Sequence, residues 1–315
     1  MKRAIIAFLT ASLLAGCIAK RTIRFGTADS GGLYYAFGTL LSEELNEGHD
    51  KYELQVKETA GSAANIRLLS EDYIRVGIAQ SDVVNEMYYG EELTGDAANG
   101  YQGYAAAASL WTEEVQIAVR RDSDIESLDD LENKTVSIGQ EDSGTERNAR
   151  QILSAVGLQS GNIRMENYDY QDAVSHLLDG SVDAMFITAG SPVQVYAENA
   201  SSIRLLSLTQ EEMDRICNTF DGYVQTTVPA GTYDGMKEVQ TLGVKAVLLV
   251  SQEVPDTAVY QMCKVLFANI DAFEEQLGLR KDITPASAAE GITIPFHAGA
   301  EKWYQENGIS VGGDK

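Results

Sequence analysis

Two α/β domains joined by two crossing strands, with a cleft between them, are what this sequence predicts. Three observations carry the expectation. Short apolar strands alternate with segments of helical period, the alternation fills two successive units, and two further apolar strands stand where the chain would pass between those units.

In the first unit Ile23–Gly26 reads as a strand, after which Leu33, Phe37, Leu40, Leu41 and Leu45 recur at helical spacing. Tyr52–Glu58 alternates as a half-buried strand, and Ile66 and Leu69 mark a second helix. Val76–Ala79 is a third strand, and Val83, Val84, Met87 and Tyr88 give the next helix its apolar face. The second unit opens with the strand Thr135–Ile138. Ala149, Ile152, Leu153 and Val156 then form one helical stripe, ended by Gly157. Ile163–Asn167 is a strand, Ala173–Leu178 a helix and Ala184–Ile187 a strand. Such alternation predicts a parallel sheet covered on both faces. Val115–Arg120 and Thr241–Val250 are the crossing strands, and Val259–Ile270 is a strong helix after the return. The expected organisation is a leader over 1–17, domain I over 18–118 and 242–315, and domain II over 119–241.

The leader expectation comes from the opening MKRAIIAFLTASLLAGC. Lys2 and Arg3 precede the apolar run Ala4–Ala15, which is too short to cross a hydrocarbon core of about 30 Å and has the form of a secretory signal. Leu14-Ala15-Gly16-Cys17 resembles the bacterial lipobox, which implies cleavage before Cys17, a lipid on its sulfur and an extracytoplasmic, membrane-anchored protein. No later apolar run is long enough to span a bilayer.

Acidic residues number 47 against 24 basic ones, a formal net charge of −23. So acidic a chain argues against nucleic acid, whose phosphates need clustered Lys and Arg. After Cys17 only Cys217 and Cys263 remain, which excludes a disulfide framework and leaves either one bridge or two isolated thiols.

Five expected helices begin with small or hydroxylated residues at the carboxyl end of a strand: Ser30-Gly31-Gly32, Gly61-Ser62, Ser81-Asp82, Ser143-Gly144-Thr145 and Gly190-Ser191-Pro192. The first N–H groups of a helix lack internal partners, and the helix dipole places partial positive charge there. Glycine lets a ligand approach the backbone, and open α/β sheets bind ligands at the carboxyl ends of their strands. Five such starts drawn from both units predict one site for a carboxylate-bearing ligand, without a dedicated arginine. Taken singly, each is also an ordinary helix cap. Of the adjacent tyrosines Tyr34 and Tyr35, one could face the cleft while the other packs.

Catalytic and cofactor motifs are missing from the sequence. Gly139-Gln-Glu-Asp-Ser-Gly144-Thr145 has the glycine frame of a P-loop, but Thr145 stands where the phosphate-binding lysine belongs, and Glu141 and Asp142 would repel phosphate. The three histidines, His49, His176 and His297, fall in no metalloprotease motif, and there is no G-x-S-x-G elbow. Adjacent acids are too common among 47 to carry a signal of their own. The expectation is therefore a protein that is not an enzyme and holds neither metal nor cofactor.

Several runs resemble one known family. They are Phe25-Gly-Thr-Ala-Asp-Ser-Gly-Gly-Leu-Tyr-Tyr-Ala-Phe-Gly38, Thr59-Ala-Gly-Ser-Ala-Ala-Asn-Ile-Arg-Leu-Leu69, Ile78-Ala-Gln-Ser-Asp82, Ser143-Gly-Thr-Glu-Arg-Asn-Ala149, Asp179–Pro192, Gly231-Thr-Tyr233 and His297–Tyr304. In order and together, over nearly all of the chain after Cys17, they look like the TAXI family of solute-binding proteins, which serve TRAP transporters. The resemblance implies a type II periplasmic-binding-protein fold that closes on its ligand, and membrane subunits driven by an ion gradient as partners. It implies a carboxylate ligand such as glutamate or a related dicarboxylate. By position the ligand shell would draw on Gly32, Tyr34, Tyr35, Asn65, Gln80 and Ser81 from domain I. Domain II would supply Ser143, Gly144 and Thr145, together with Ala189, Ser191 and Tyr233. The sequence departs from the family pattern at Asp29, at Ala36 in place of a proline, and at Glu141 and Asp142. Added carboxylates near an anion site are costly unless they face solvent or meet a cation, so an amino acid is expected in preference to a simple dicarboxylate. The same fold would also suit a sensing receptor that signals to a membrane partner.

Overall fold

A computed structural model describes residues 21–48, 52–90, 99–280 and 283–311. The leader and Cys17 lie outside the described residues. Among those described, no helix is long and apolar enough to cross a membrane.

The chain order is β1 (Arg21–Gly26), α1 (Leu33–Gly48), β2 (Tyr52–Lys57), α2 (Ser62–Ser70), β3 (Val76–Gln80), α3 (Ser81–Tyr89) and β4 (Tyr104–Arg120). Then follow β5 (Thr135–Ser137), α4 (Gly144–Ala155), β6 (Arg164–Glu166), α5 (Tyr170–Asp179), β7 (Ala184–Ala189), α6 (Gln194–Glu198), β8 (Ile203–Leu205), α7 (Gln210–Thr219) and β9 (Val224–Val228). The chain closes with β10 (Val239–Ser251), α8 (Asp256–Leu277) and α9 (Ala298–Glu306).

The strands form one sheet in the order β2-β1-β3-β10-β4-β7-β5-β6, with β8 on β4 and β9 on β10. The expected parallel pairing holds at the two ends, where β1 lies parallel to β2 and β3, and β5 to β6 and β7. In the middle it does not: β10 runs antiparallel to β3, β4 and β9, and β4 antiparallel to β7 and β8. The sheet is therefore mixed. A strand that leaves one unit and a strand that returns must run in opposite directions, so the crossing pair is antiparallel by connectivity.

Both crossing strands are longer than the sequence suggested. β4 begins at Tyr104, in the run Tyr104-Ala-Ala-Ala-Ala-Ser109, because alanine has weak strand preference and only burial on both faces makes this segment a strand. Three apolar clusters follow the crossing. One gathers residues from Ile23 to Trp111 and from Ala246 to Tyr304. The other two lie between Val115 and Val244. The change of core occurs between Trp111 and Val115 on β4 and between Val244 and Ala246 on β10. The β4–β10 ladder is irregular there, between Lys245 and Val247.

Local signals fix the helix ends that reach this midline. Ser143 Oγ caps α4 by accepting from Glu146 N at 3.0 Å. Asp169 caps α5 through Asp172 N at 2.8 Å, and Thr209 and Glu212 form a reciprocal capping box on α7. Cys217 and Cys263 are both free thiols, in different clusters.

Phe37 on α1 is fully buried, edge-on to Trp111 at 5.2 Å and to Phe273 at 6.0 Å between ring centroids. It joins α1, β4 and α8. Phe37→Ala should lower stability by roughly 3–5 kcal/mol in urea denaturation; a loss under about 1 kcal/mol would show that this contact is not a core element.

Candidate functional site

The carboxyl ends of β1 and β3, the middle of β4 and the first turns of α1, α2 and α4 converge on one cavity. Its walls include Ala28, Asp29, Gly32, Leu33, Tyr34, Ala60, Gly61, Ser62 and Gln80 from one side of the midline. Gln140, Ser143, Gly144, Thr145, Asp169, Tyr170, Thr188 and Ala189 come from the other, with Glu113 between them on β4. The cavity holds ≈ 520 Å³ of atom-free space, its mouth included.

The two lobes touch around this space. Ala64 N donates to Asp142 O at 3.3 Å, and Arg67 forms an ion pair with the Asp142 carboxylate. Asn148 Nδ2 donates to Asp82 Oδ2 at 2.8 Å, and Arg147 pairs with Glu86. α2 and α3 thus meet α4 and the loop before it, and the cleft is closed.

Of the residues expected at the site, Gly32, Tyr34, Gln80, Ser143, Gly144, Thr145 and Ala189 line the cavity. The other five lie elsewhere. Tyr35 is half-buried on α1, away from the cavity. Asn65 is fully buried and ties strand ends together, Nδ2 donating to Thr27 O at 2.6 Å and Ile78 O at 2.8 Å. Ser81 Oγ accepts from Lys245 N at 3.2 Å, fastening α3 to β10. Ser191 N donates to Glu114 Oε2 at 3.1 Å on the opposite face of β4. Tyr233 is buried in the second lobe, its Oη accepting from Val193 N at 2.9 Å and donating to Gln116.

Glu113 was not expected. It is 2 % exposed and sits on the cavity floor. Tyr34 Oη donates to its Oε2 at 2.9 Å, Gln80 Nε2 to the same oxygen at 3.1 Å, and Trp111 Nε1 to Oε1 at 3.4 Å. Burial pushes its carboxyl up to about 8, against the lowering effect of these three donors. No Lys, Arg or His is among the lining residues. On the other face of β4, Glu114 accepts from Arg280 Nη2 at 2.6 Å, and Arg280 also reaches Thr227 O at 2.7 Å. Of the three acids that depart from the family pattern, only Asp29 reaches the cavity; its Oδ1 accepts from Gly31 N at 2.8 Å. Asp142 is spent on Arg67, and Glu141 is exposed.

The donor side of the cavity is backbone. Ser62 starts α2, whose Gly61 cap supplies no side-chain bond, and Gly144 and Thr145 start α4. First-turn amides without helical partners, together with the dipole, favour a carboxylate there. The arrangement can hold a ligand that presents a negative group to the helix starts.

A family model described as the NMT1-like family matches residues 25–308. Among solved structures, PhnD1 from Prochlorococcus marinus (MIT 9301), in complex with methylphosphonate, is similar with a TM-score of 0.54 at 12% identity, over 82% of this chain and 88% of that one. A structure from work on glutathione import via GshT and the cystine ABC importer TcyBC of Streptococcus mutans gives 0.52 at 15%, over 82% and 96%. The GluR0 ligand-binding core from Nostoc punctiforme, in complex with (L)-glutamate, gives 0.50 at 16%, over 82% and 98%. The shared feature is the type II periplasmic-binding-protein fold.

Protonation of Glu113 makes a prediction about stability. Its folded value lies above its ordinary one of 4.5, so the folded chain keeps a proton that the unfolded chain gives up between the two. The contribution of Glu113 to the stability of the ligand-free protein should be full below that window, fall as pH rises through it, and level off above about 8. Relative to Glu113→Gln, the loss should amount to roughly 3–5 kcal/mol, read by chemical denaturation across the window. Parallel pH profiles for the two proteins would contradict the assignment.

Proposed function

We propose that this chain, which belongs to the NMT1-like family, is an extracytoplasmic solute receptor. It captures a small carboxylate between its lobes and delivers it to a membrane transporter. The observation that carries this reading is the closed cavity at the sheet's midline, with helix starts from both lobes on its walls and no catalytic constellation among them.

The ligand shell we assign is Gly32, Tyr34, Ser62, Gln80, Glu113, Ser143, Gly144, Thr145 and Ala189. Contacts from both lobes to one ligand stabilise the closed form over an open one, and closure is the signal a transporter reads. The leader and the lipobox-like Cys17 support an anchored, extracytoplasmic location. The ordered TAXI-like motifs support TRAP-type membrane subunits as the partner. A second reading is an ATP-driven partner, favoured by the likeness to the structure tied to an ABC importer of Streptococcus mutans. Uptake by reconstituted vesicles that persists without ATP but collapses with the ion gradient would decide for the first; the converse would decide for the second.

Gly144 and Gln80 test the site itself. A Cβ on Gly144 would lie 2.0 Å from Gln80 Oε1 and 2.4 Å from its Cδ, across the cleft. Alanine suits a first helical turn, so Gly144→Ala should spare folding, hinder closure and weaken ligand at least tenfold. Gln80→Ala removes a buried polar contact and should cost roughly 1–3 kcal/mol of affinity. Titration calorimetry with L-glutamate and 2-oxoglutarate reads both; unchanged affinity in both variants would remove this cavity as the binding site.

A further inference from the structure

The cavity is unbalanced in a way the carboxylate reading leaves unexplained. Its walls carry no cationic side chain, yet its floor is a buried carboxyl. Beside it, Gln80 Oε1 is buried without a hydrogen-bond partner, while Gln80 Nε2 is engaged by Glu113. A buried acceptor left unpaired costs free energy. Together with Glu113 it marks a place that wants a donor-rich, positive group.

We propose that Glu113 is the specificity-determining group of the cleft: it receives the ammonium of an amino-acid ligand and releases its own proton to solvent as it does so. The inference rests on the solute-receptor reading above and adds the second half of the ligand. In the free protein the carboxyl is protonated near neutral pH, in keeping with its upward displacement by burial. When R–NH3+ arrives, the Glu113 O–H bond breaks, the proton leaves to water, and the carboxylate forms a charge-assisted hydrogen bond with the ammonium. The ammonium then neutralises the Glu113 carboxylate, and the ligand carboxylate remains as the negative charge held by the amides and dipoles of the helix starts.

Among the described residues no Lys or His faces Glu113 to take its proton, and two further acids, Asp29 and Asp169, share the cavity wall and also favour a positive group there. α1 offers Tyr34, β3 offers Gln80 and β4 offers Trp111, all three as donors. α2 offers the Ser62 hydroxyl, and α5 the Tyr170 phenol, whose ionisation burial suppresses. α3 contributes Asp82, a negative group that favours the protonated form of Glu113 and is itself bonded to Asn148. A ligand with a second carboxylate in place of the ammonium would have to bind with Glu113 still protonated.

Calorimetry of the intact folded chain with the standard L-amino acids and 2-oxoglutarate, in buffers of different ionisation enthalpy, tests this. The expected result is that an amino acid binds with close to one proton released at neutral pH. Its affinity should rise about tenfold per pH unit and flatten above about 8. Glu113→Gln should abolish the proton release and weaken that ligand by roughly 10- to 100-fold, while leaving 2-oxoglutarate no weaker. Amino-acid binding without proton release, or binding of 2-oxoglutarate alone, overturns the role of Glu113 and leaves the receptor reading standing. Binding of no member of the panel overturns both. The proton count on the unmodified protein decides the matter even if the variant folds poorly.

Discussion

Everything in this molecule hangs on the antiparallel pair β4 and β10, each of which belongs to both cores. Their ladder runs from Gly243–Glu114 to Ser251–Tyr104 and is irregular near Lys245, where the apolar clusters change over. Because the pair is hydrogen-bonded along its length, the lobes cannot separate freely. A residue at the midline of this pair therefore adjoins both lobes. Glu113 and Glu114 occupy that place, one on each face: the first looks into the cavity, the second is held by Arg280 and Ser191 N behind it.

The same constraint makes the cavity's chemistry intelligible. Parallel strands on either side of the crossing pair end at the midline, and each is followed by a helix whose first turn begins there. Backbone amides therefore arrive from both lobes without any cationic side chain on the cavity wall, in a protein whose overall charge is strongly negative. A cluster of lysines or arginines would bind a carboxylate too, but would hold it in the open form as well. Under the proposed receptor role, amides on two lobes would act together on one ligand only where the lobes meet, which would favour closure when that ligand is present. The contacts Ala64 N to Asp142 O and Asn148 to Asp82 join the two lobes around the cavity.

Much of this was legible in the residues. The small and hydroxylated helix starts at Gly61-Ser62 and Ser143-Gly144-Thr145 were visible because capping and close approach demand particular residue types. Tyr34 and Tyr35 showed a divided pair, and the structure sends Tyr34 to the cavity side. Glu113 was not legible. In Trp111-Thr-Glu-Glu-Val115 two adjacent acids carry no signal of their own in so acidic a chain, and nothing local reveals that both are buried by strands distant in sequence. The positional transfer of Asn65, Ser81, Ser191 and Tyr233 failed to reach the cavity for a related reason. Each is polar and near a strand end, but each is consumed by a backbone bond that holds the fold. The antiparallel direction of the crossing strands and the alanine-rich start of β4 likewise depend on tertiary pairing.

The most direct test of the account is native mass spectrometry of the purified chain supplied with millimolar mixed amino acids and organic acids. The account predicts one small carboxylate bound per chain, released intact on denaturation and lost from the Gly144→Ala variant. An unliganded protein under those conditions, a ligand recovered chemically altered, or equal loading of the variant would contradict it.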